Sequence, residues 1–190
     1  MHHASDIETT SSGAACGHMA TANDAAVGDE PSCPEIEVQT EAGAQHIDIA
    51  HLQAHLISAL PHVASVAGRP VGRIGVTVVS DARMAKLHGR HLGEFITTDV
   101  LTFDQSNPGA GTPIVAEIVV CADEAARRSA EFGHPIEREL LLYVVHGLLH
   151  CAGFDDHDET QAAAMHAEED RILQAIGVGA TFQPHRGRPS

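Results

Sequence analysis

Residues 136–160 read IERELLLYVVHGLLHCAGFDDHDET, and the rest of the chain is best understood outward from them. The run 140–149, LLLYVVHGLL, is longer than an ordinary strand and apolar on every helical face, so it predicts a buried central helix from Ile136 to about Cys151. Pro135 suits its start, because proline's missing N–H is not needed in a first turn. Gly153 suits its exit, because glycine accepts the left-handed backbone that turns a chain out of a helix. Residues four apart on a helix stand one turn above each other, so His146 and His150 present imidazoles to one point.

Burying two imidazoles in so apolar a helix costs several kcal/mol unless both find partners, and a shared metal ion satisfies both. Core packing, with each ring bonded to its own carbonyl, is the ordinary reading of one such histidine and a poor reading of two at this spacing. The turn at Gly153 would bring Asp155, Asp156 or His157 back toward the same point. Three protein ligands and an open fourth position are the pattern of catalytic rather than structural zinc. A protease of the His-Glu-x-x-His type needs glutamate directly after the first histidine as general base; Gly147 stands there, which argues against that chemistry.

Moving upstream, Gly133, His134 and Pro135 break the chain after a helix that Asp123 is expected to cap and that reaches Phe132. Residues 114–121 (IVAEIVVC) and 99–103 (DVLTF) read as strands joined by a Gly/Pro/Asn/Ser loop, plausible as a hairpin. Before them, 73–80 (RIGVTVVS) is an alternating β-branched strand followed by a helix to about His91, capped by Ser80 or Asp81. Ile49, Leu52, Leu56 and Leu60 mark a further helix that Pro61 is expected to end or kink, after a short strand at 36–38. Downstream, 158–175 reads as the last helix, stopped at Gly177. The expectation is one α+β domain over 35–178, with about four strands in one sheet packed by about five helices. Residues 1–34 are expected to be a disordered acidic tail, and 179–190 a second tail. Scattered His2, His3, Cys16, His18 and Cys33 in the first tail are expected to take up metal only adventitiously.

The formal charge is -15, and residues 1–68 hold nine acidic groups and no Lys or Arg. That composition argues against a protein that grips nucleic acid mainly by bulk electrostatics. A nuclease of this charge needs local help from a metal ion, a basic partner, or arginines such as Arg127, Arg128 and Arg138. The four cysteines form no C-x-x-C pair, and Cys121 and Cys151 sit in apolar contexts that suit reduced thiols. No signal-peptide pattern or membrane-length apolar run is present, so a cytoplasmic protein without a membrane partner is expected.

With these residues in view, HGLLHCAGFDD resembles the H-G-x-L-H-x-x-G-Y-D-H signature of the YbeY family of bacterial metal-dependent endoribonucleases. TTDVLTF (97–103) resembles that family's T-N/D-V-L-S-F strand, AEIVVCADEA (116–125) its G-E-I segment, and GHPIERELLLYVVHG (133–147) its lead-in to the signature. The resemblance covers about 36–177. It implies one zinc ion per chain and single-stranded RNA as substrate, with no DNA. It also implies a place in maturation of the 3' end of small-subunit ribosomal RNA and in ribosome quality control, with ribosomal proteins as further partners.

The family's third ligand is usually histidine; a gapless register from His150 puts Asp156 there and His157 one beyond, and keeps Met165 aligned. A branch of the family carries aspartate at that place, so the ligand set implied is His146, His150 and Asp156, with His157 as the alternative. His146 and Asp155 are the implied catalytic residues, Asp155 or His157 orienting or deprotonating a water beside the metal. Many members carry an arginine before the T-N/D-V-L-S-F strand where this chain, like the aspartate branch, has Leu92; Arg90 is nearby but reads as a solvated helix cation rather than a substitute. The rival expectation is a non-catalytic, metal-stabilised ribosome assembly factor. A third is a hydrolase of small substrates, which would act on nucleotides or esters without RNA.

Overall fold

A computed structural model describes residues 34–44, 46–92 and 96–180 of the chain, all within one compact unit, Pro31–Ser190. The tail residues expected to bind metal only adventitiously lie outside that range. The elements run β1 (Glu35–Thr40), α1 (Ile49–Ala67), β2 (Val71–Val79), α2 (Asp81–Leu92), β3 (Val100–Asp104), β4 (Ile114–Cys121), α3 (Ala122–Phe132), α4 (Ile136–Cys151) and α5 (Glu159–Ala175). The four strands form one open sheet in the order β1-β2-β4-β3. β1 and β4 lie parallel to β2, whereas β3 and β4 pair antiparallel as the expected hairpin. The fold is thus α+β in a single domain, as the sequence pattern indicates.

The helix expected at the centre is there. Leu140, Leu141, Leu148 and Leu149 are fully buried, and α4 touches α1, α3, α5, β3 and β4. A helix enclosed by neighbours on every side has no use for a polar stripe, which is why its sequence lacks one. Each buried leucine contributes about 1.5–3 kcal/mol relative to exposure, so the site-bearing helix is firmly held.

Its approach to β3 depends on Gly147. A Cβ built there would overlap the Oγ1 of Thr102, so any larger residue would force α4 away from the strand that walls the cleft described below. The position where a protease would carry its base is therefore taken by a packing requirement.

Two local expectations are corrected. Pro61 does not end α1, which continues to Ala67. Pro61 and Ile57, whose carbonyl loses its partner, are both exposed, so water can replace the missing bond, while buried Leu60 and Val63 hold the helix on either side. Asp123 does not cap its own helix; α3 begins after Cys121 with no side-chain cap. Its carboxylate instead accepts the backbone N–H of Asp81 at 2.7 Å, closing the first turn of α2 across the sheet end.

Candidate metal centre

His146 and His150 come from successive turns of α4, with their rings perpendicular and 4.7 Å apart. Each is fixed through Nδ1. His146 Nδ1 donates to the carboxylate of Glu169 on α5 at 2.7 Å, and His150 Nδ1 donates to the backbone carbonyl of Phe154 at 3.1 Å. The Phe154 carbonyl is in reach because Gly153 takes a positive φ of 96° and folds the chain back over the helix end.

These two bonds determine what the other nitrogens can do. A carboxylate and a carbonyl only accept, so both Nδ1 atoms carry the proton and each neutral ring is left with a lone pair on Nε2. The two Nε2 atoms are 3.1 Å apart. Asp156 closes the group, one oxygen 3.9 Å from each Nε2. Two lone pairs and an anion pointing at one spot repel each other unless a cation lies between them. Zinc–nitrogen bonds of about 2.0–2.1 Å in tetrahedral geometry place two ligating nitrogens about 3.3–3.4 Å apart, close to the spacing found. The donor set therefore fits a metal ion with little movement, the Asp156 carboxylate closing by about half an ångström.

Among the described residues, two groups have the ligand types and closeness to hold an ion. One is His146, His150 and Asp156; the other is Asp155, Asp156 and His157, on the surface. His157 is 82% exposed and paired with Asp155 rather than turned toward the two helix histidines. Asp155 also accepts the backbone N–H of Asp156 at 2.8 Å, which fixes the turn that presents the Asp156 side chain. The pairing lowers the Asp155 pKa and raises that of His157. For His146, burial works against the charged form, yet the hydrogen bond and charge of Glu169, with Asp99 and Asp156 nearby, outweigh it and the pKa is raised.

The group opens on a cleft of about 460 Å³ between α4 and β3, lined by Thr98, Asp99, Thr102, Asp104 and Cys151 beside the two histidines. Among the described residues, no lysine or arginine lines it. The arginines expected to attract an anionic substrate are engaged elsewhere. Arg127 is held by Asp81 and Glu124, Arg128 by Glu124 and Glu131, and Arg138 by the carbonyls of Gly179 and Ala180. Arg90 is exposed on α2, and the Leu92 side chain lies outside the described residues. Cys121 and Cys151 are buried free thiols, as expected.

Glu169 escaped the sequence reading. Its signal was an acid at the buried spacing of α5, where Met165, Ile172 and Leu173 form the apolar stripe. An acid on such a stripe needs a partner that the sequence does not name.

An α+β domain whose buried helix turns two nitrogen lone pairs and a carboxylate toward an open cleft is of the class that could hold a cation within reach of solvent. The endoribonuclease YbeY family model matches residues 35–177. An endoribonuclease YbeY from Halorhodospira halophila is 35% identical, covering 78% of this chain and 96% of that protein. One from Mycolicibacterium paratuberculosis is 34% identical over 73% of this chain and 81% of its own length. The solution structure of TM1509 from Thermotoga maritima superposes with a TM-score of 0.52 at 26% identity, covering 74% of this chain and 88% of that one. The chain belongs to the endoribonuclease YbeY family.

Proposed function

We propose that this chain is a zinc-dependent, single-strand-specific endoribonuclease of the cytoplasm, acting in 3'-end maturation of small-subunit ribosomal RNA and in ribosome quality control. The domain responsible is 35–178, flanked by tails at 1–34 and 179–190. The observation that carries the reading is the convergence of the His146 and His150 Nε2 lone pairs with the Asp156 carboxylate at the mouth of a cleft. Family membership supports RNA as the substrate.

His146, His150 and Asp156 would hold one zinc ion per chain, leaving an open position toward the cleft. The ion supplies Lewis acidity there. Asp155, adjacent in the chain and ionised, orients or deprotonates the attacking water; its present partner His157 is exposed and able to give way. Thr98 and Thr102 line the cleft and would offer hydroxyls to ribose or phosphate oxygens, Thr98 by releasing its present acceptor, the Asp99 carboxylate.

The test is single-turnover cleavage of a small-subunit ribosomal RNA precursor with and without chelator, together with bound-metal analysis of a His146→Ala/His150→Ala variant. Chelator-sensitive cleavage and a metal-free variant are expected. Zinc at wild-type level in the variant would misplace the centre. Unchanged cleavage by Asp155→Ala would remove Asp155 from the mechanism. Among the described residues no helix is long and apolar enough to cross a membrane, and no membrane partner is proposed.

One observation favours a second reading. The cleft is walled by Asp99 and Asp104, and Arg127, Arg128 and Arg138 are committed internally, a poor surface for polyanions and a better one for a basic ribosomal protein. A non-catalytic assembly factor stabilised by its metal would leave the RNA intact in the same assay, with or without chelator.

A further inference from the structure

Glu169 is 1% exposed, and its second carboxylate oxygen is buried without a partner among the described residues. An ionised carboxylate taken out of water costs several kcal/mol unless something nearby uses its charge. Its neighbours on the buried stripe, Met165, Ile172 and Leu173, dock α5 by apolar contact alone, so packing gives no reason for an acid at 169. The one described group that uses it is His146 Nδ1, at 2.7 Å. His150, the other ring of the centre, is held by the Phe154 carbonyl, a neutral acceptor. The two imidazoles are thus alike toward the cleft and unlike behind it.

We infer that Glu169 is a positioning residue of the metal centre: its carboxylate locks the His146 ring with Nε2 turned to the ion and strengthens that nitrogen as a donor. The inference rests on the proposed zinc site. A charged acceptor behind an imidazole polarises the N–H bond and pushes electron density to the far nitrogen, which a carbonyl does less strongly. His146 is then the stronger ligand of the pair, anchored to α5, while His150 is tied through the Phe154 carbonyl to the loop that supplies Asp156. The centre accordingly joins three segments, α4, the turn after Gly153, and α5 through Glu169.

The experiment titrates zinc into metal-free wild-type protein, Glu169→Gln, Glu169→Ala and Met165→Ala, the last removing buried α5 packing while leaving the Glu169 carboxylate in place. Wild type is expected to bind one zinc. Losses of roughly tenfold for Glu169→Gln and up to about a hundredfold for Glu169→Ala are expected. Met165→Ala should lower Tm yet keep zinc affinity within about twofold, because the carboxylate behind His146 is retained. Proton NMR of the zinc-loaded proteins supplies a readout that packing alone would not move. The His146 Nδ1–H resonance should lie downfield and exchange slowly in wild type and Met165→Ala, and move upfield in Glu169→Gln.

If both Glu169 variants bind zinc as wild type does, or Met165→Ala loses as much affinity as Glu169→Ala, the positioning role is overturned and the zinc site stands. If wild type takes up no zinc, the proposed function fails and this inference fails with it. Should Glu169→Ala not fold, the near-isosteric Glu169→Gln decides the matter.

Discussion

Gly147 and Asp156 carry the two residue-scale arguments. At 147 the constraint is steric, because Thr102 Oγ1 occupies the space a Cβ would need. Gly147→Ala should destabilise the fold by about 1–3 kcal/mol, the usual cost of overpacking. Adding Thr102→Ala should recover most of that loss, since it removes the clashing atom; urea denaturation of the two single variants and the double closes the cycle. No recovery would mean that the glycine is needed for some other reason. At 156 the argument is one of ligand geometry. Asp156→Ala should weaken zinc binding at least tenfold, an order typical of disturbing a metal ligand's surroundings and a lower bound for removing the ligand itself. His157→Ala should leave it nearly unchanged, because that ring is exposed and paired with Asp155. The reverse ranking in a competitive chelator titration would exchange the two residues' roles. The choice between them was open from spacing alone, since a turn after glycine can present either side chain; only its hydrogen bonds decide which one faces the helix.

Elements were legible to different depths for physical reasons. α4 could be read directly, because a helix buried on all sides is apolar on all sides and its two histidines stand out. The sheet order β1-β2-β4-β3 could not, because parallel pairing joins strands far apart in sequence and leaves no turn signal. Asp123 was misread for a related reason: it has the residue type and position of a cap, but the N–H it accepts belongs to another helix. That contact is one part of a knot between α2 and α3. The Asp81 carboxylate takes Arg127 in two hydrogen bonds, the Thr97 hydroxyl at 3.1 Å and the Cys121 thiol at 3.0 Å. Led by Arg127, these bonds hold the Asp81 carboxyl down at about 2, below the usual carboxylate range. A folded-state pKa below the unfolded value adds stability that is fully present above about pH 4 and fades as pH falls through about 2. The stabilisation is under about 1 kcal/mol, because the pair is largely exposed and screened. Wild type should therefore exceed Asp81→Asn in urea midpoint at pH 6 and converge with it near pH 2, with the gap narrower in high salt. A gap that widens on acidification would reverse the sign of the argument.

At the scale of the whole molecule, charge was the most legible property and the one that bears most on mechanism. A formal charge of -15, acids on the cleft wall and arginines already paired leave few cations to exchange against RNA counterions. A protein that neutralises six to ten phosphates loses about a thousandfold to a hundred-thousandfold in affinity between 50 and 200 mM salt. If, as proposed, this chain meets RNA at one divalent ion and hydroxyls such as that of Thr102, it should neutralise about two phosphates and lose less than about tenfold over the same range. Its RNA binding should instead depend on the metal, collapsing on chelation at any salt concentration. Fluorescence anisotropy with a short single-stranded RNA, titrated at several salt concentrations with and without chelator, separates the two dependences. A steep salt slope that survives chelation would show that cations other than the metal grip the substrate. The metal would then serve the chemistry alone, and the cleft would be a place for cutting rather than for binding.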